Sequence, residues 1–266
     1  MSGLPPAIRG ARAAFVFLTR LPLGGYPYSD EAYAWAPAHG PLVGLVVGGL
    51  GATAAVLCLG AGAMPAVLVG LAVTMLVTGG FHEDGLADTA DALGGAIFDR
   101  GKLLEILKDS RIGTYGALAL VLSVGLRAAL LCELAAPGRL HESGAWGLVL
   151  AMLGSHVFAR VGPVWLMALM PYVTDEAHAR SRPIVRAGVP QALVASAHGA
   201  ALLVAGLTLV PNAAFGLVVA FSTIVPVSAF AAWRFHARAG GITGDFLGAQ
   251  EQCCEVAVLL ALALAS

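Results

Sequence analysis

"GPLVGLVVGGLGATAAVLCLGAGAMPAVLVGLAVTMLVTGGF", Gly40 to Phe81, is 42 residues without a single Asp, Glu, Lys or Arg. A helix crosses the hydrocarbon core of a bilayer with roughly 20 apolar residues, so this run is long enough for two crossings. "GAGAMP", Gly60 to Pro65, supplies the turn between them and sets the spans near 41–60 and 65–81. No soluble core calls for two such runs back to back, and the fold class follows from this stretch.

The rest of the chain repeats the pattern. Its 266 residues are 58% hydrophobic and only 12% charged, with a mean hydropathy of +0.83; soluble domains carry about 25% charged residues. A third span is expected over about 113–135, interrupted by Arg127. A fourth covers about 145–171, with His156 and Arg160 inside it. A further 47 residues, 187–233, lack Asp, Glu, Lys and Arg, and Pro211-Asn212 divides them into two more spans. After a loop at 234–252, "CCEVAVLLALALAS" forms a short seventh. At the N-terminus, "MSGLPPAIRGARAAFVFLTRLPLGG" has basic residues before an apolar patch that Arg20 closes early. With no small-residue cleavage site, it reads as an amphipathic helix lying on the membrane rather than a signal peptide. The expectation is an all-α, polytopic bundle of six to seven transmembrane helices behind that amphipathic helix. Gly, Ala and Ser are frequent in the spans, which lets the helices approach closely.

Placing the N-terminus and the segments 82–112, 172–190 and 234–252 on one face puts 12 of the 15 basic residues there. Arg139 alone falls on the other face, and Arg127 and Arg160 lie within spans. By the positive-inside tendency that rich face is cytoplasmic. The formal net charge of −1 says nothing about nucleic acid, and with no basic stripe carrying interleaved aromatics no nucleic acid partner is expected. Cys58, Cys132, Cys253 and Cys254 have no metal-type spacing and read as small hydrophobes.

Immediately after the charge-free run, "HEDGLADTADALGG" delivers Glu83, Asp84, Asp88 and Asp91 within nine positions. On a helix at about 100° per residue, Asp84, Asp88 and Asp91 share an arc of about 60°. Such a stripe can converge on Mg²⁺, a hard cation that takes oxygen ligands; the alternative is a solvated acidic face. Glu83 points away from it and is expected beside the ligands or in solvent. "KDSRIGTYG", Lys108 to Gly116, offers Lys108 and Arg111 as phosphate donors, with the hydroxyls of Ser110, Thr114 and Tyr115. It would equally serve as a basic anchor with a helix cap. "GGITGDFLGAQEQ", Gly240 to Gln252, places Asp245 after a Thr-Gly turn, as a further ligand, a base or a helix-start residue. Arg127 and Arg160 are functional candidates simply by lying in spans, with an Arg127–Glu133 pair as the structural alternative. His156, one turn from Arg160, reads as a bundle hydrogen-bonder, and "HARSRPIVRAG" at 178–188 as a topology-setting basic loop or an anion site.

The three motifs together, in this order and at these separations, closely resemble the cobalamin synthase family, also called adenosylcobinamide-GDP ribazoletransferases. "FLTRLPL" (Phe17 to Leu23) and "PLVGLVVGG" (Pro41 to Gly49) add to the likeness, while Ala92 stands where the family often has Gly. The resemblance implies one integral membrane transferase domain over residues 1–266. It implies joining of adenosylcobinamide-GDP to α-ribazole, or its 5′-phosphate, with release of GMP, in the late nucleotide-loop step of vitamin B12 synthesis. Mg²⁺ is the implied cofactor, with Glu83, Asp84, Asp88 and Asp91 as its ligands. Lys108, Ser110, Arg111 and Thr114 would bind substrate, and Asp91, Lys108, Asp109, Arg111 and Asp245 would serve catalysis. The implied setting is the bacterial inner membrane with the site facing the cytoplasm; association with itself or with other nucleotide-loop enzymes stays open. CDP-alcohol phosphotransferases and membrane prenyltransferases are rival readings, but their aspartate spacing differs. An ion-coupled transporter is a third, although transporter sites lie near the midplane.

Overall fold

A computed structural model describes residues 5–24, 28–96, 99–173 and 186–266. Thirteen α-helices occur among them. A short α1 (Pro6–Leu18) and α2 (Asp30–Trp35) precede the long hairpin of α3 (Gly40–Cys58) and α4 (Ala63–Thr78). The acidic motif forms α5 (Phe81–Gly95), followed by α6 (Arg100–Ile106) and α7 (Thr114–Leu134). Then come α8 (Gly144–Ala159), α9 (Gly162–Leu169), α10 (Val189–Leu209), α11 (Ala214–Ser222), α12 (Ile224–Ala239) and α13 (Gly244–Ala265).

Six of the helical stretches are long and apolar enough to cross a membrane, and the bent pair α4–α5 makes a seventh if taken as one span. The protein is a polytopic, all-helical membrane protein. Two glycines make the bend. Gly79 and Gly80 both take left-handed backbone, φ 73° and 72°, a conformation that costs residues with a Cβ energy. Gly79 caps α4, Gly80 caps α5, and the two helices meet at 89°.

The described structure redraws two of the expected boundaries. The fourth span is broken into α8 and α9 around Arg160 and Val161, where Pro163 sits at the start of α9 and cannot donate a backbone N–H to the preceding turn. The last span starts at Gly244 rather than Cys253, so the expected loop 234–252 shrinks to residues 240–243. Thr243 caps α13 through its hydroxyl, which accepts from Phe246 N at 3.2 Å. Charge hid this boundary: Asp245 and Glu251 look like loop residues until their surroundings are seen.

The amphipathic N-terminal helix is α1. It buries Gly10, Ala13 and Ala14 against Ala36, Val43 and Val47. The main core joins residues of α3, α4, α7, α8, α11 and α13 around Leu131, Leu148, Met152, Phe158, Leu259 and Leu262. Since successive spans alternate in direction, the α4–α5 corner, the 99–113 segment and the 240–243 turn collect at one end. Contacts tie that end together: Arg238 donates to the carbonyls of Leu93 and Ala96, and Ile242 N donates to Pro171 O at 2.8 Å. Much of the basic segment 178–188, including Arg180 and Arg182, lies outside the described residues.

Candidate active site

The acidic helix is held at three places. Near its middle, α5 crosses the start of α13 at Gly85 and Gly248. A Cβ on Gly85 would stand 2.9 Å from the carbonyl oxygen of Asp245 and 3.3 Å from the Cα of Gly248. Only bare backbone allows that approach, and it sets Asp245 against the acidic face. Asp245, Asp84 and Asp88 lie close enough for their charges to act on one another.

Towards its C-terminal end, α5 is tied to the start of α7. The buried carboxylate of Asp91 accepts from Gly113 N at 2.7 Å and from Gly116 N at 2.9 Å. These amides are among the unsatisfied donors of a helix N-terminus, and an anion there is stabilised by both the hydrogen bonds and the helix dipole. Both glycines of "RIGTYG" are thereby explained, since a Cβ on Gly113 would fall 2.5 Å from the Asp91 carboxylate.

At its N-terminal end, α5 joins a buried network of charges. Arg127 of α7 donates to Glu83 at 3.2 Å and to Glu255 of α13 at 2.8 Å. Arg160 lies 2.8 Å from Glu251 and 3.3 Å from Glu255, and His156 lies 2.7 Å from Glu255. His82 completes the set, 3.7 Å from Glu251. Buried charges persist in an apolar bundle only when paired in this way. The expected Arg127–Glu133 pair is therefore not made: Glu133 binds Arg139 at 2.9 Å instead. Glu83 is engaged by Arg127 rather than solvated, and His156 is an ion-pair partner. Glu251 and Glu255 went unnoticed in the sequence, although their i,i+4 spacing beside two in-span arginines was the available signal.

Beside the acidic helix opens a cleft of about 570 Å³. Glu83, Asp84 and Asp88 of α5 line it together with Ser110, Ile112, Thr19, Arg20 and Thr78. Of the phosphate-motif residues, Ser110 faces this cleft. Lys108 and Thr114 are exposed, Thr114 opening α7. Arg111 is exposed as well and is gripped by Asp109, its Nη2 donating at 2.7 Å and its Nε at 3.0 Å. Those hydrogen bonds from Arg111 hold the Asp109 carboxyl down at about 2.

Among the described residues no three His, Cys, Asp or Glu side chains form a ready-made metal cage. Mg²⁺ does not need one, because it keeps several waters and is held by one or two carboxylates together with substrate phosphates. With Asp91 engaged by backbone amides and Glu83 by Arg127, the hard oxygen donors facing the cleft are Asp84 and Asp88. That donor set fits Mg²⁺.

The family model described as cobalamin-5-phosphate synthase matches residues 10–263. The chain belongs to this family. An adenosylcobinamide-GDP ribazoletransferase of Leptothrix cholodnii is 41% identical to it over 260 residues, covering 95% of each chain. Proteins of the same name from Bradyrhizobium diazoefficiens and a Polaromonas species are 41% and 37% identical, covering 96% and 99% of this chain and 94% and 99% of their own. No solved structure matches. Membership in the cobalamin-5-phosphate synthase family sets aside the phosphotransferase, prenyltransferase and transporter readings.

Proposed function

We propose that this protein is an adenosylcobinamide-GDP ribazoletransferase. It joins adenosylcobinamide-GDP to α-ribazole, or its 5′-phosphate, and releases GMP. The observation that carries the reading is the match of the whole chain to one family, whose three polar motifs here come together at one end of the bundle around α5.

The chemistry is a phosphoryl-group displacement. The 3′-hydroxyl of ribazole attacks the phosphorus esterified to the cobinamide aminopropanol. A phosphorus–oxygen bond forms to the ribose, the diphosphate linkage breaks, and GMP departs with its phosphate oxygen. Asp84 and Asp88 would hold Mg²⁺, which when bound would neutralise charge on the diphosphate and on the leaving oxygen. Asp245, presented against Asp84 and Asp88 by the Gly85–Gly248 crossing, accepts the proton of the attacking hydroxyl. Asp91 positions: its two amide hydrogen bonds lock the acidic helix to the 107–113 segment, which delivers Ser110 to the cleft. Lys108 and Arg111, with Asp109 orienting Arg111, stand outside the cleft as cations that attract and hold the nucleotide end of the substrate.

The protein resides in the bacterial inner membrane with this end facing the cytoplasm. That orientation follows from the basic residues Arg9, Arg12, Arg20, Arg100, Lys102, Lys108 and Arg111 at the site's end against Arg139 at the other. The test of function is direct. Purified protein supplied with Mg²⁺, adenosylcobinamide-GDP and α-ribazole should release GMP and form a cobalamin in equal amounts. Absence of both products with every component present rejects the reading.

A further inference from the structure

Arg20 closes α1 and has no part in the roles assigned so far. The sequence placed it as the charge that ends an apolar patch and within the "FLTRLPL" stretch, and the structure sets it in the cleft. Helix α1 stops at Leu18, and Thr19 is extended, φ −140° and ψ 163°. The Thr19 hydroxyl donates back to Phe15 O at 2.6 Å and accepts from Leu21 N at 3.2 Å, which fixes the turn. The next amide, Arg20 N, donates to Val77 O in the last turn of α4 at 2.7 Å. This backbone bond lays the Arg20 side chain across the α4–α5 corner. A Cβ on Gly79 would meet its guanidinium, 2.9 Å from Cζ and 3.0 Å from Nη2.

Arg20 is the one cation among the described residues lining the cleft, whose lining also includes Asp84, Asp88, Thr78 and Ser110. Among the described residues no carboxylate or carbonyl accepts from its guanidinium, whereas Arg111 is held by Asp109 and Arg127 by two glutamates. A cleft lined by carboxylates and by a single planar donor fork suits a metal-bound diphosphate. Asp84 and Asp88 would hold the metal, and the planar guanidinium fork of Arg20 would donate to phosphate oxygens of the same diphosphate. We infer that Arg20 binds the diphosphate of the guanylylated substrate in the cleft that Asp84 and Asp88 also line. This inference rests on the transferase reading and extends it to a residue outside the three motifs.

The rival role for Arg20 is structural, as a cation at the C-terminal end of α4. The two roles separate in kinetics and in binding. Arg20→Ala, inserted and folded, should raise KM for adenosylcobinamide-GDP by roughly 10- to 100-fold, the range expected for a lost charge-assisted hydrogen bond. KM for α-ribazole should stay unchanged. Calorimetry with inorganic pyrophosphate and Mg²⁺ should show binding weakened by a similar factor. Arg20→Lys, which keeps the charge and loses the fork, should fall in between, and it carries the test if the alanine variant fails to insert. Unchanged KM for the diphosphate substrate with unchanged pyrophosphate binding overturns the inference, as does an equal rise in KM for both substrates. Wild-type protein that makes no cobalamin rejects the transferase reading instead, and its pyrophosphate binding still tests Arg20.

Discussion

Arg127 and Glu255 meet 2.8 Å apart in the interior of the bundle, each with a side chain about 1% exposed. Arg127 also reaches Glu83, so one guanidinium connects the acidic helix to the last span. Arg127→Met would leave two carboxylates without that partner. Breaking a buried pair from one side costs about 3–5 kcal/mol. Thermal unfolding in detergent should fall sharply for Arg127→Met and recover in part when Glu255→Gln is added. An unchanged melting temperature for the single variant would show that the network does not hold the bundle.

Asp91 should behave differently from its neighbours on the stripe. Its carboxylate accepts two backbone hydrogen bonds, and an Asn side chain can keep one of them. Asp91→Asn should therefore lose roughly tenfold in turnover, through one missing hydrogen bond of about 1–1.5 kcal/mol, while its Mg²⁺ requirement stays as in the wild type. A shifted Mg²⁺ requirement would make Asp91 a metal ligand after all.

Gly85→Ala places a methyl group 2.9 Å from the Asp245 carbonyl oxygen and 3.2 Å from its Cα. Backbone cannot swing aside as a flexible side chain can, so the two helices must part. Overpacking of this kind costs about 1–3 kcal/mol, and the displacement of Asp245 should reduce turnover by more than the fall in stability explains. Normal turnover in an alanine variant would mean that the crossing does not set the site.

A reporter fused after Asp99 should remain on the cytoplasmic side, and one fused after Gly138 should be exported. Arg139 at that second site donates to the carbonyls of Ala263 and Ser266, which places the chain's C-terminus at the same end. Export of the first fusion would invert the orientation.

Much of this was legible in the amino acids. Charge-free runs locate the spans, because a bilayer leaves few other uses for 42 uncharged residues. The acidic periodicity likewise puts Asp84, Asp88 and Asp91 on one helical face. The division of labour along that stripe was not legible, because it depends on partners far away in the chain. Asp91 is taken by Gly113 and Gly116, Glu83 by Arg127, and only the remaining two aspartates are left to the cleft. Glu251 and Glu255 were hidden for the opposite reason. Charged residues in an apolar context resemble a span boundary until the arginines that neutralise them, Arg127 of α7 and Arg160 at the α8–α9 break, are placed beside them. Arg20 belongs to the "FLTRLPL" stretch, but its place in the cleft comes from a backbone hydrogen bond to α4 that no sequence pattern announces.

The central claim is that Asp84 and Asp88, in the cleft beside α5, hold the metal that makes GMP leave. The most direct measurement compares GMP release by wild-type protein and by Asp88→Asn, each reconstituted in bilayers, across a Mg²⁺ titration with saturating α-ribazole. The wild type should release GMP in step with cobalamin formation, and Asp88→Asn, inserted to the same level, should release none at any Mg²⁺ concentration. Near-normal release by Asp88→Asn would contradict the account.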